Sequence, residues 1–162
     1  MADFFFSETA PVGTRLSAKL GAAANTPFAE ADKGKAVKLG TAQNYVLATG
    51  GDDIEGFVSS VEPITKGGFS FGGVQIDGWK EAVVGANQGG TPMAVKDYVV
   101  ADTQVALGTA GAPTVKTGVP FSQSGTTPFA VTPSTPTKFF WRCLRILSGT
   151  GVAGDSVLLY RC

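Results

Sequence analysis

No window of a dozen residues in this chain repeats its apolar side chains every three to four positions, so long amphipathic helices are excluded. The 22 glycines and nine prolines among 162 residues give the reason, because they interrupt nearly every segment before a helix of ordinary length can form. What is left is a set of short runs with alternating character, set between turn residues. "KAVKL" (35–39) places Ala36 between two lysines, with Val37 and Leu39 on the other face. "NYVLAT" (44–49) follows a short "GTAQ" turn. "DIEGFVSSVEP" (53–63) sets Ile54, Gly56, Val58 and Ser60 against Glu55, Phe57, Ser59 and Val61. Further strands are expected at 73–76, 80–84, 93–101, 104–107, 128–132, 138–147 and 156–161. The fold class is all-β: a small β-barrel or β-sandwich core, with an extended N-terminal arm and a long Pro/Gly/Thr-rich loop.

The arm is residues 1–31, and the single β domain is 32–162. "MADFFFSETAPVG" sets Phe4, Phe5 and Phe6 before a Pro/Gly break, and "TRLSAKLGAAANTPFAEA" offers one short helical turn or a weak strand. Three phenylalanines left in water forgo roughly 1.5–3 kcal/mol of burial each, so the arm folds back on its own core or docks on a neighbouring subunit. Residues 108–138 hold five of the nine prolines and almost no charge. Proline is excluded from central strands, so this is an extended loop or a sheet edge, and a loop so long is expected to contact something. Pro120, Phe121, Pro128 and Phe129 are its candidate contact residues. Trp79, after "QIDG" and before Lys80, is placed for exposure. Trp141, inside "FFWRCLRIL" with apolar neighbours on both faces, is placed for burial.

The motifs that look chemical dissolve on inspection. "TGGDDIEGF" (49–57) has the paired carboxylates of metal-dependent polymerases and nucleotide cyclases, but lacks the chain length of the first and the flanking helices of the second. A turn reading fits better: Gly50–Gly51 turn the chain and Asp52 or Asp53 caps it, with relatives at Asp97 ("VKDYVVAD") and Asp155 ("AGDSVLLYRC"). "GTGVAGD" (149–155) matches a dinucleotide fingerprint, yet a strand follows it instead of the helix that would hold the phosphate, so a hairpin turn is expected. There is no histidine, which removes the commonest general base and every Ser-His or Cys-His pair. Cys143 and Cys162 are too few for a disulfide scaffold or a structural zinc site; they pair if adjacent strands bring them together, or stay reduced. No catalytic, metal or cofactor residues emerge, no cofactor is expected, and the chain is not read as an enzyme.

Charge is sparse and uneven. Lys, Arg, Asp and Glu make up 16% of the chain against a typical quarter, so the surface is kept from sticking by other means or is covered by a partner. No acid occurs from Thr103 through Gly154, which reflects either the composition of the turns or complementarity between copies or with a charged neighbour. The basic residues there are too dispersed for nucleic acid, and no apolar run reaches the roughly 20 residues of a membrane span. The chain begins without the basic and apolar regions of a secretion signal, so it is expected to be soluble and made in the cytoplasm.

Taken together, "DKGKAVKLGTAQNYVLATGGDDIEGFVSSVEP" and "GTGVAGDSVLLYRC" resemble the decoration, or cement, proteins of tailed-bacteriophage heads, over residues 32–62 and 93–162. The resemblance implies a small β protein on the outside of the mature capsid, bound to the major capsid protein and self-associated as a homodimer or homotrimer, with no active site. The rival from another class is a tail-fibre or glycan-binding β module of a virion.

Overall fold

The computed structural model describes residues 14–21, 27–66, 69–120, 136–137 and 141–161. The protein is all-β, as its turn-rich sequence predicts. Strands β1 (Arg15–Leu20), β2 (Ala36–Leu39), β3 (Tyr45–Leu47), β4 (Gly56–Lys66) and β5 (Phe69–Gln75) close into a barrel in the order β1-β3-β2-β4-β5. A second sheet follows, ordered β11-β12-β6-β8-β7, from β6 (Gly78–Val84), β7 (Val99–Ala101), β8 (Thr114–Thr117), β11 (Arg142–Ile146) and β12 (Ser156–Arg161). Strands β9 (Val119–Pro120) and β10 (Pro136–Thr137) pair as a small parallel ribbon. Each proline in that ribbon lacks an N–H, which a two-stranded edge tolerates and a central strand does not.

The second sheet also bends round on itself. Its two edge strands meet at a bridge between Tyr98 and Arg142. Backbone bonds flank that bridge: Val99 N–H donates to Trp141 O at 3.0 Å, Cys143 N–H to Asp97 O at 2.9 Å and Lys96 N–H to Cys143 O at 2.7 Å. Edge groups that would otherwise need water are thereby satisfied.

Period-two alternation builds two cores that share a wall. On β2, Val37 points into the barrel and Ala36 into the second core; on β4, Val58 and Phe57 divide in the same way. The barrel core is small: Leu20, Phe28, Val37, Val58, Val61 and Val74. The second is larger and holds Trp141 against Phe57, edge to face, with ring centroids 4.9 Å apart. Trp141 is fully buried, as its apolar neighbours predict.

Four expectations change. Residues 15–20, grouped by composition with the arm, are a barrel stave paired along their whole length with β5, from Arg15–Gln75 to Leu20–Ser70; residues 1–13 lie outside the described residues. The alternation written across 53–63 breaks at a bulge between Val58 and Ser60, so Val58 and Val61 share the barrel interior and Val58 and Ser60 do not share a face. Of the strand expected over 93–101, only Val99–Ala101 forms, because Ala94–Asp97 is a turn. No strand forms at 104–107. That loop is anchored by side chains instead: Lys35 Nζ donates to Ala106 O at 2.6 Å, Gly108 N–H to Asp32 Oδ1 at 2.8 Å, and Gln104 Nε2 to Thr114 O at 2.6 Å.

Candidate interaction surface

Of the eight residues singled out by composition, Phe4, Phe5, Phe6, Phe121, Pro128 and Phe129 lie outside the described residues. Pro120 falls in the β9–β10 ribbon. Trp79 is the one whose side chain the structure describes, and its surroundings define the candidate surface.

Strand β6 sends Ala82 and Val84 into the larger core, with Lys80 over the Phe57 ring on the same side, so Trp79, Glu81 and Val83 face outward. On β12, Val157 and Leu159 point in, and Tyr160 points out; on β11, Trp141 and Cys143 point in, and Arg142 out. The register then places Trp79 beside Tyr160, Tyr160 beside Arg142 and Arg142 beside Tyr98. Four consecutive strand positions therefore present Trp, Tyr, Arg and Tyr in a row, about 14 Å long at the usual spacing between strands. All four are partly exposed. The Arg142 guanidinium lies over the Tyr98 ring, 4.2 Å from its centroid, and donates through Nη2 to Tyr98 Oη. A neighbouring row carries exposed Arg145, Leu158 and exposed Glu81.

Sequence reasoning found Trp79 and missed its companions. Each of the other three stands next to a buried residue in a recognisable strand: Tyr98 before Val99, Arg142 after Trp141, Tyr160 after Leu159. Alternation alone would have turned them outward. Pairing between strands up to 81 positions apart in sequence brings them together, and no local pattern encodes that.

The apparent chemical motifs are turns. Asp52 accepts the Thr49 N–H at 3.0 Å while its own N–H donates to Thr49 O at 3.1 Å, and Gly50 and Gly51 supply φ of 63° and 99°. Lys38 Nζ sits 2.7 Å from the same carboxylate, so a cation of the protein already neutralises it. The turn also clamps the two sheets: Gly51 N–H donates to Ala101 O at 2.8 Å and Ala101 N–H to Asp52 O at 2.9 Å. The same reciprocal bond recurs between Ala94 and Asp97 and between Val152 and Asp155, as the sequence predicts, and also between Ala29 and Asp32. The "GTGVAGD" loop does form an anion nest, but Asp155 fills it. Its Oδ2 accepts N–H groups from Thr150 at 2.7 Å, Gly151 at 2.9 Å and Val152 at 3.0 Å. The Thr150 and Val152 bonds lead in holding the carboxyl below the usual range.

The Asp32–Lys35 pair was not foreseen. The two side chains meet at 2.7 Å with 0% and 1% exposure, in the seam between the barrel and the 103–113 loop. Cys143 is a buried free thiol whose pKa is raised by burial and by Asp97, and it pairs in register with Leu159. Among the described residues, no three His, Cys, Asp or Glu side chains converge as a metal site, and no helix is long and apolar enough to cross a membrane. Among the described residues, 14–77 carry six basic and seven acidic side chains, and 78–161 carry six and four.

Comparison with protein-family models, with curated proteins and with solved structures gave no match.

Proposed function

We propose that the protein is a structural virion component that binds the outside of an assembled phage capsid and stabilises the lattice by bridging major capsid subunits. The observation that carries this reading is the outward row Trp79–Tyr160–Arg142–Tyr98. It presents residue types that dominate protein–protein contacts on a rigid sheet, while the acidic motifs that looked catalytic are taken up by turns. The reading also draws on the sequence resemblance of residues 32–62 and 93–162 to decoration proteins, and the small charge complement fits a surface with a partner.

Stabilisation would follow from mass action. A protein that binds only the assembled lattice adds its binding free energy to that lattice, and many copies sum modest interfaces. Self-association as a dimer or trimer would let one unit span several subunits. The test uses expanded capsids of the same virus prepared without this protein. Adding it should restore resistance to heat and chelation, with the protein co-sedimenting at a saturating stoichiometry. Failure to bind, together with unchanged capsid resistance, would sink the reading.

A second reading rests on the same row, since Trp and Tyr rings side by side also suit the apolar faces of sugars. Saturable binding to a polysaccharide, with no binding to capsids, would favour a glycan-binding module of the virion.

A further inference from the structure

We infer that the outer face of strands β6, β12 and β11, centred on Trp79, Tyr160 and Arg142, is the face that meets the capsid, and that it receives an acidic, extended segment of the capsid subunit. The inference rests on the capsid-binding reading and adds to it the face and the chemistry of the partner.

The two sheets differ in what they turn outward. On the barrel, β1 and β5 pair Ser17 with Gly73 and Lys19 with Phe71, and the neighbouring β4 adds Ser59 and Ser60. Among the described side chains that wall offers one exposed aromatic, Phe71, among small residues. The second sheet instead aligns two tyrosines, a tryptophan and an arginine across four strands. Trp, Tyr and Arg are the types most enriched at binding hot spots. Trp and Tyr bring large contact area on only two rotatable side-chain bonds, so ordering them costs little.

Charge selects the partner. Arg142 is held flat against Tyr98, with one N–H bound to Tyr98 Oη, so the rest of its planar fork is set in advance for a carboxylate. Arg145, exposed one step along β11, adds a second cation on the same strand. Among the described residues the face carries one acid, Glu81, in the row beside Leu158, which leaves the Arg142 end net positive. A partner strand or loop with carboxylates towards β11 and apolar side chains towards Trp79 would match both ends. A second copy of this chain is a poorer match, because among the described residues its equivalent face offers two guanidinium groups a single carboxylate, Glu81.

The experiment measures binding of the full chain to expanded capsids by co-sedimentation and calorimetry. Trp79→Ala and Arg142→Glu should each weaken binding by roughly 10-fold or more, as hot-spot truncation or charge reversal does. Arg142→Lys, which keeps the charge but loses the planar stack, should fall between the wild type and Arg142→Glu. Phe71→Ala on the barrel wall should bind as the wild type does. Affinity should fall as salt rises, and the fall should be shallower for Arg142→Glu. Thermal melts of each variant establish that the fold is kept; Trp79→Phe, which retains an aromatic ring, serves if Trp79→Ala does not fold. Wild-type binding with unimpaired Trp79 and Arg142 variants overturns this inference alone. A wild type that does not bind capsids overturns the capsid reading and the inference with it. Binding of an acidic polysaccharide that Trp79→Ala abolishes replaces the protein partner with a glycan.

Discussion

The barrel and the second sheet are built from strands of similar length, yet they hold together by different means. The barrel encloses six fully apolar core residues and supplements them with buried polar groups: Asn44, Ser70, Asp32 and Lys35. Asn44 donates through Nδ2 to Gly21 O beside the point where β3 meets β1, and Ser70 Oγ accepts the Phe28 N–H at 2.9 Å. Closure between β1 and β3 rests, among the described residues, on the pairing of Leu20 with Tyr45 and the bond from Gly21 N–H to Tyr45 O at 2.9 Å. The second sheet packs Trp141, Phe57, Met93 and Leu159 into a larger apolar core, with buried Asp102 and Gln104 beside β7 and β8. A barrel narrow enough to be filled by valines leaves room outside for glycines and serines. A sheet with an aromatic core can carry aromatics on both faces. The division of labour follows: the barrel positions, and the sheet presents.

If packing dominates the second sheet, deleting its largest side chain should be among the most costly single changes in the molecule. Trp141→Ala removes the ring that meets Phe57 and should cost about 3–5 kcal/mol, read as a drop in the midpoint of denaturant unfolding. A loss below about 1 kcal/mol would mean that the seam closes around the gap and that the two cores are less rigidly joined than described.

The barrel's counterpart test is the Asp32–Lys35 pair. Removing one partner strands a charge in a site with almost no solvent, so Lys35→Met should cost about 3–5 kcal/mol. It should also release the 103–113 loop, since Lys35 Nζ no longer holds Ala106 O. Limited proteolysis reads that release directly. The double variant Asp32→Asn with Lys35→Met buries no charge and should recover most of the loss. If the double variant is as unstable as the single one, the pair matters for its geometry and not for its compensating charges.

The pair illustrates what could be read from the sequence and what could not. Class and rhythm were legible, because Gly and Pro at fixed intervals and alternation in "KAVKL" or "SVLLYR" are local facts, and the reciprocal Asp turns at 52, 97 and 155 involve residues three apart. Lys35 was not, since a lysine before an apolar run reads as solvated until the distant 103–113 loop covers it. The β1 strand was half visible for a related reason: the segment suggests a short helical turn or a weak strand, and the full-length ladder with β5 decides for the strand. Trp79 was visible as an exposed aromatic, whereas its neighbours Tyr160, Arg142 and Tyr98 were set beside it by register. The bulge at Val58–Ser60, which carries β4 round the barrel, left no signature beyond two serines.

A gentler probe of the barrel uses Gly72, where a Cβ would run into the Ser60 carbonyl and the Leu20 side chain. Gly72→Ala should cost about 1–3 kcal/mol by forcing β4 and β5 apart. Gly50→Ala has open space around it and only its φ of 63° against it, so its cost should be about 1 kcal/mol. Equal losses for the two would show that close strand approach does not limit the barrel.

Two ionisable groups of the second sheet should respond to pH in opposite ways. Asp155, at the β11–β12 hairpin, has its carboxyl lowered by backbone N–H groups, with those of Thr150 and Val152 foremost. A depressed carboxylate stabilises the fold above the unfolded value of roughly 3.9, and that contribution is lost as pH falls through the folded value. Asp155→Ala should therefore be less stable than the wild type at neutral pH, and the gap should close in acid.

Lys80 works the other way and should give the smallest effect. Its amine is pushed into the seam over Phe57, and burial lowers its pKa against a smaller opposing effect of Glu81. Below the folded value the lysine is charged in both states, so the full cost of burying the ammonium is present at neutral pH. That cost fades as pH rises through the folded value towards the unfolded one near 10.5. Lys80→Met should then raise the unfolding midpoint slightly at pH 7, with an advantage that shrinks on approach to pH 10.5. A destabilising Lys80→Met would mean that the attraction between the ammonium and the Phe57 ring outweighs desolvation, and that the larger core is held partly by a charge, as the barrel is.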